Sequence, residues 1–189
     1  VVGSSITASG PLTISGANNL LSLSGVAAKG TTYALLSGSS ILNTGAIAAT
    51  GALLGNQTVA LGSSKTVGRS TYSFTQSGTS LLLTVTGSQF NLTWTGSTSN
   101  AWNYSTVNWQ SGGTGYTFDP GDNATIASAA TIVVDAAGVT SGTTTVSNAT
   151  GTVDLSGGTL TTTALVKSGN GLLTASGNVA VTGGITLSG

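Results

Sequence analysis

Apolar and polar residues alternate with a period of two in short runs along the whole chain. Examples are Leu12-Thr13-Ile14-Ser15, Leu81 to Thr86, Thr131 to Val134, Thr152 to Leu155 and Val179-Ala180-Val181. Gly, Asn and Ser bound these runs and β-branched residues fill them, so the pattern predicts strands. No window carries an i, i+3, i+4, i+7 stripe of large apolar residues with capping chemistry. Gly, Ser, Thr and Asn are also poor helix formers. The chain is expected to be all-β.

The last third of the chain suggests how such strands are joined. From Thr143 to Gly189 short strands alternate with Ser-Gly or Gly-Gly corners, as in Thr-Val-Asp-Leu-Ser-Gly-Gly followed by Leu-Thr-Thr-Thr-Ala-Leu-Val-Lys-Ser-Gly. Segments of this length suit the faces of a parallel β-helix, whose inward Val, Ile and Leu stack on the rungs above and below. Outward Thr, Ser and Asn form ladders, and Gly supplies the corner conformations. A β-sandwich, with longer strands and more pronounced hairpin turns, is the next alternative. A membrane barrel would show strands of about ten residues with aromatic girdles, and that pattern is not visible. Residues 90–122 interrupt the repetitive texture: they hold Trp94, Trp102 and Trp109, with Tyr104, Tyr116, Phe90, Phe118 and Pro120. Leu81 to Thr86 reads as a buried strand that closes the segment before them.

Composition narrows the chemistry. Only eight residues are charged, Lys29, Lys65, Arg69 and Lys167 against Asp119, Asp122, Asp135 and Asp154, so the net charge is zero. Ser, Thr and Gly fill 90 of the 189 positions, and His, Cys, Met and Glu are absent. Imidazole acid-base catalysis, thiolate nucleophiles, His or Cys metal sites and a Glu base are thereby excluded. So is a basic track for a nucleic-acid backbone. With 39% hydrophobic residues and a mean hydropathy of +0.33 the chain is too apolar for disorder. Gly, Ser, Thr and Asn interrupt the uncharged stretches well short of the roughly 18 apolar residues of a membrane helix, so no membrane insertion is expected. The chain starts with Val1 rather than Met and shows no basic stretch ahead of an apolar one, so any signal peptide is expected to have been removed already or never to have been in this chain.

Few residues offer a site. Asp119-Pro120-Gly121-Asp122-Asn123 presents clustered oxygens, as a calcium loop would, yet Pro-Gly flanked by Asp and Asn is also turn chemistry, the simpler reading. Asp135 and Asp154 are the remaining carboxylates; a glycosidase pair would need a cleft and basic or aromatic subsites, and Lys167 is a poor supply. The chain is expected to be no enzyme and to use no cofactor and no metal. Trp94, Trp102, Tyr104, Trp109 and Tyr116 form either a platform for sugar rings or a hydrophobic plug where the regular coil is interrupted. Five Asn-x-Ser/Thr sequons, at Asn56, Asn91, Asn103, Asn123 and Asn148, are about what this composition produces by chance. Thr143-Thr144-Thr145 and Thr161-Thr162-Thr163 are similar to ice-binding faces, but the motif does not continue through Leu172 to Gly189.

Trp94-Thr95-Gly96, Trp102-Asn103, Asn108-Trp109, Phe118 and Gly121-Asp122-Asn123-Ala124-Thr125-Ile126 together resemble the opening segment of bacterial autotransporter-type surface proteins with autotransporter-associated β-strand repeats. Lys167 to Asn178, followed by Thr182-Gly183-Gly184-Ile185-Thr186-Leu187, looks like one degenerate copy of that repeat, and Gly10 to Asn18 looks like another. Residues 31–89 look similar to the segment that ends such a unit. The resemblance implies a right-handed parallel β-helix, with residues 1–89 ending one unit and 90–189 beginning the next. It also implies an extracellular or bacterial cell-surface location and a structural or adhesive role. The alternative is a carbohydrate-binding adhesin module of a long repeat protein, with surface glycans as partners. Val1 and Val2 at one end and Ile185 and Leu187 at the other are the expected contacts through which copies meet end to end in a fibre.

Overall fold

The computed structural model describes residues 5–24, 27–43, 45–54 and 56–188. Val1 and Val2, named above as an assembly end, lie outside them. The fold is all-β: among the described residues the only helical element is a single 3-10 turn, Ala52–Leu54. The chain divides into two compact units, Val1–Ser88 and Gln89–Gly189.

In the first unit three short strands, β1 (Ile6–Thr7), β2 (Leu12–Ile14) and β3 (Asn19–Ser22), are followed by β4 (Thr31–Ser37), β5 (Ile41–Asn43) and β6 (Ile47–Thr50). The second three pair in parallel with the first three in the same order. Ile6 lies beside Leu36, Leu12 beside Ile41 and Asn19 beside Ile47. The pairing then changes direction. β7 (Val59–Ala60) runs antiparallel to β6, and β8 (Ser63–Val67), β9 (Ser70–Ser77) and β10 (Ser80–Thr86) form an antiparallel meander. Its last strand lies antiparallel to β4, so the meander covers the edge that β4 would otherwise expose. Two-residue loops with Gly at the first position join these hairpins; Gly68 has φ 59° and Gly78 φ 53°, the left-handed backbone that tight hairpins need. The predicted closing strand β10 is central in its sheet, with Leu81, Leu83 and Val85 buried against Tyr72 and Phe74.

The second unit begins with β11 (Asn91–Trp94), β12 (Ala101–Trp102) and a hairpin of β13 (Trp109–Ser111) and β14 (Thr114–Tyr116). It continues through β15 (Asn123–Ile126), β16 (Ala130–Val134), β17 (Val139–Val146), β18 (Thr152–Gly157), β19 (Leu160–Lys167), β20 (Leu172–Ala175) and β21 (Val179–Leu187). From β15 onward the chain alternates between two sheets, and every neighbour in both is parallel. In one sheet Ala124, Thr144, Leu165 and Ile185 are successive partners, and in the other Ile132 and Leu155 face one another. The antiparallel hairpin β13–β14 covers the first strand of the larger sheet, and Gly112 and Gly113 (φ 56° and 82°) make its turn.

Apolar residues stack along these ladders. Leu92 and Ala124, Ile126 and Val146, Val139 and Leu160, and Ile132 and Leu155 are all buried. One interior corner is polar. Ser141, Thr144 and Thr162 are buried together, with hydroxyl oxygens 2.7–3.1 Å apart, and Thr162 Oγ1 also reaches the Gly142 and Ala164 carbonyls at 2.9 Å. The expectation that hydroxyl side chains point outward does not hold there; three hydroxyls that satisfy one another can replace aliphatic stacking without orphaning a donor.

Candidate functional site

The aromatic segment folds inward. Trp102, Trp109 and Phe118 are buried, with ring centroids 4.8–5.2 Å apart, and Trp94 meets Trp109 edge-on at 5.0 Å. Phe90 and Tyr116 make a second perpendicular pair at 5.3 Å. The indole N–H groups of Trp102 and Trp109 are buried without a hydrogen-bond partner, so these rings contribute packing and no polar recognition. Of the five aromatic residues singled out by sequence, Trp102 and Trp109 have no face to offer a ligand, while Trp94, Tyr104 and Tyr116 are half-buried.

Tyr104 is held from across the unit: its phenol oxygen accepts the Thr140 N–H at 2.6 Å. Burial raises its pKa far above the ordinary phenol value, and the Thr140 bond offsets this only in part.

Two asparagines flanking the tryptophans shape the loops on either side of β12. Asn108 is buried and uses its whole side chain: Oδ1 accepts the Thr98 and Ser99 N–H groups at 3.0 and 2.9 Å, while Nδ2 donates to Ser99 Oγ at 3.0 Å and the Ala101 carbonyl at 2.7 Å. Asn103 Oδ1 accepts the Ser105 and Thr106 N–H groups at 3.0 and 2.8 Å. In the sequence, the signal for these roles is an Asn next to a Trp in a stretch rich in Ser and Thr.

Asp122 is also fully buried. Its Oδ1 accepts the Phe90 N–H and its Oδ2 the Asp119 N–H, each at 3.0 Å, which ties the turn at Pro120-Gly121 to the start of β11. This geometry belongs to a turn anchor. Replacing Asp122 with Ala should remove both of these hydrogen bonds to a buried carboxylate and cost about 3 kcal/mol of unfolding free energy. Urea titration followed by tryptophan fluorescence reads this; a loss below about 1 kcal/mol would remove the anchor role.

Asp135 and Asp154 are not brought together as a pair. Asp135 Oδ1 accepts the Ala137 N–H at 2.8 Å, and Asp154 Oδ1 accepts the Thr174 hydroxyl at 2.8 Å. Asp154 lies beside Thr131 in the ladder, four residues along the chain from Asp135 and thus roughly 13 Å of strand away.

The remaining feature is the state of the outermost strands. Along β21 the side chains pass from half-buried to exposed, and Ile185 and Leu187 are 60% and 75% exposed although their ladder predecessors are at least half-buried. Beside them Lys167, Leu172, Leu173 and Leu187 line a hollow of about 440 Å³. Lys167 Nζ is engaged there, donating to the Ser168 and Gly169 carbonyls at 2.7 Å. In the first unit Ile6 is 66% exposed on the edge strand β1, and a second hollow of about 240 Å³ is lined by Ile6, Leu21, Leu23, Leu35 and Leu36. Comparison of the chain with protein-family models, with curated proteins and with solved structures finds no match.

Proposed function

We propose that the chain is a non-catalytic, extracellular structural component of a bacterial surface, built on right-handed parallel β-helix and stacking end to end on copies of itself. Support for the coil comes from the pairing: successive strands alternate between sheets and return in parallel about twenty residues later, as from Thr144 to Leu165 to Ile185. Parallel returns within one sheet are right-handed in the great majority of proteins. The autotransporter-like segment around the three tryptophans supports a surface location.

The observation that carries assembly is the uncovered apolar rung at β20–β21. Leu165, the ladder partner of Ile185, is buried, whereas Ile185 and Leu187 on the outermost described strand are 60% and 75% exposed. An unpaired strand edge with apolar core behind it recruits another strand. A second copy fits because exposed Ile6 on edge strand β1, beside the hollow that half-buried Leu21 helps to line, offers the same chemistry, and neither hollow presents an uncompensated charge. Such a heterologous contact repeats into filaments when its rotation does not close.

The test is the double substitution Ile185→Lys and Leu187→Lys. In sedimentation velocity the parent chain should grow with concentration, and the variant should remain at the 18.2 kDa monomer. A parent that stays monomeric, or a variant that associates equally well, contradicts the reading.

A further inference from the structure

A polar cleft of about 330 Å³ opens beside Trp94, separate from the strand edges just described, and we propose that it binds a neutral oligosaccharide. The partly exposed indole of Trp94 forms one wall, and Ser99, Asn100, Ser128 and Thr131 supply the polar groups. The side chains of Asn100, Ser128 and Thr131 make no hydrogen bond among the described residues. Ser99 Oγ accepts the Ala101 N–H and the Asn108 side-chain amide, at 3.2 and 3.0 Å, so its own proton is left to donate outward. The cleft thus presents three hydroxyls and one carboxamide that the fold does not consume, next to an aromatic surface.

That combination matches a sugar: a ring face of C–H groups packs on the indole while its hydroxyls exchange hydrogen bonds with Ser, Thr and Asn. No charged side chain lines the cleft, which selects a neutral ligand over a uronic or sialic acid. The site is also held in shape. Trp94 packs edge-on against buried Trp109, and the backbone of residues 98–101 is pinned by buried Asn108. Little ordering entropy is then left for binding to overcome.

The experiment is calorimetric titration of the whole chain with cellohexaose, maltohexaose, mannohexaose and N-acetylchitohexaose, with tryptophan emission as a second readout. At least one should bind with saturable heat and a change in emission. Asn100→Ala combined with Thr131→Ala should weaken that binding roughly tenfold or more, with the urea midpoint unchanged because both side chains are exposed. Ser128→Ala, also exposed, should weaken it in the same direction and guards against a loss of fold in the double variant. No binding by any of the four sugars up to about 10 mM, or equal affinity in the variants, overturns the proposal.

Discussion

Trp109→Ala is expected to destabilise the second unit by about 4 kcal/mol, enough to unfold much of a marginally stable domain. The ring is 1% exposed and touches Trp94, Trp102 and Phe118, so truncation leaves a cavity at the junction of three aromatic side chains. Trp102→Ala should cost a similar amount, since that ring is buried against Trp109 and Phe118. Trp109→Phe should cost clearly less: its indole N–H has no partner, so only packing volume is lost. Denaturant unfolding at fixed m-value measures all three. A platform for sugars makes the opposite forecast, in which the alanine variants keep their stability and lose only glycan binding.

The second large effect is expected at Gly158. A Cβ built there would overlap the Asp135 carbonyl oxygen and crowd the Ala136 Cα. Gly158 N–H donates to the Val134 carbonyl at 2.9 Å, so the two backbone segments cannot separate without breaking the ladder between β16 and β18. Gly158→Ala should therefore cost about 3 kcal/mol or more, through overpacking against backbone rather than through an unfavourable φ. Gly184→Ala is the matched control. Its Cβ would meet nothing within 4 Å, and the substitution should be neutral or slightly stabilising because it reduces the freedom of the unfolded chain. Equal unfolding midpoints for the two variants would show that the close approach at Gly158 is not maintained in solution.

The two glycines also show what the sequence could and could not reveal. Both sit in Gly-Gly pairs, and nothing in the letters distinguishes the one pressed against a neighbouring strand from the one facing open space. Strand content was legible because alternation such as Leu81-Leu82-Leu83-Thr84-Val85 maps directly onto buried and half-buried positions. Strand direction was legible only from 143 onward. In residues 59–86 the chain folds as an antiparallel meander, but Gly68 and Gly78 give the same φ > 0 signal as a solenoid corner. The inward-facing Ser141, Thr144 and Thr162 were hidden for a related reason. Hydroxyl side chains are read as outward by composition, and their mutual satisfaction depends on partners 18 and 21 positions away. Of the candidate sites, the aromatic cluster was visible as a concentration of Trp, whereas the cleft beside Trp94 is assembled from Ser99, Asn100, Ser128 and Thr131, common residue types with no spacing that marks them.

End-to-end assembly is the central claim, and its most direct test is electron microscopy of native material whose covalent mass has been measured. The 189-residue chain, at 18.2 kDa, is expected to form filaments that elongate with concentration at constant width. A much heavier chain would mean that covalently continued repeats cover the apolar rung at Ile185 and Leu187. An 18.2 kDa chain that remains a stable, dispersed monomer at high concentration would contradict the assembly outright.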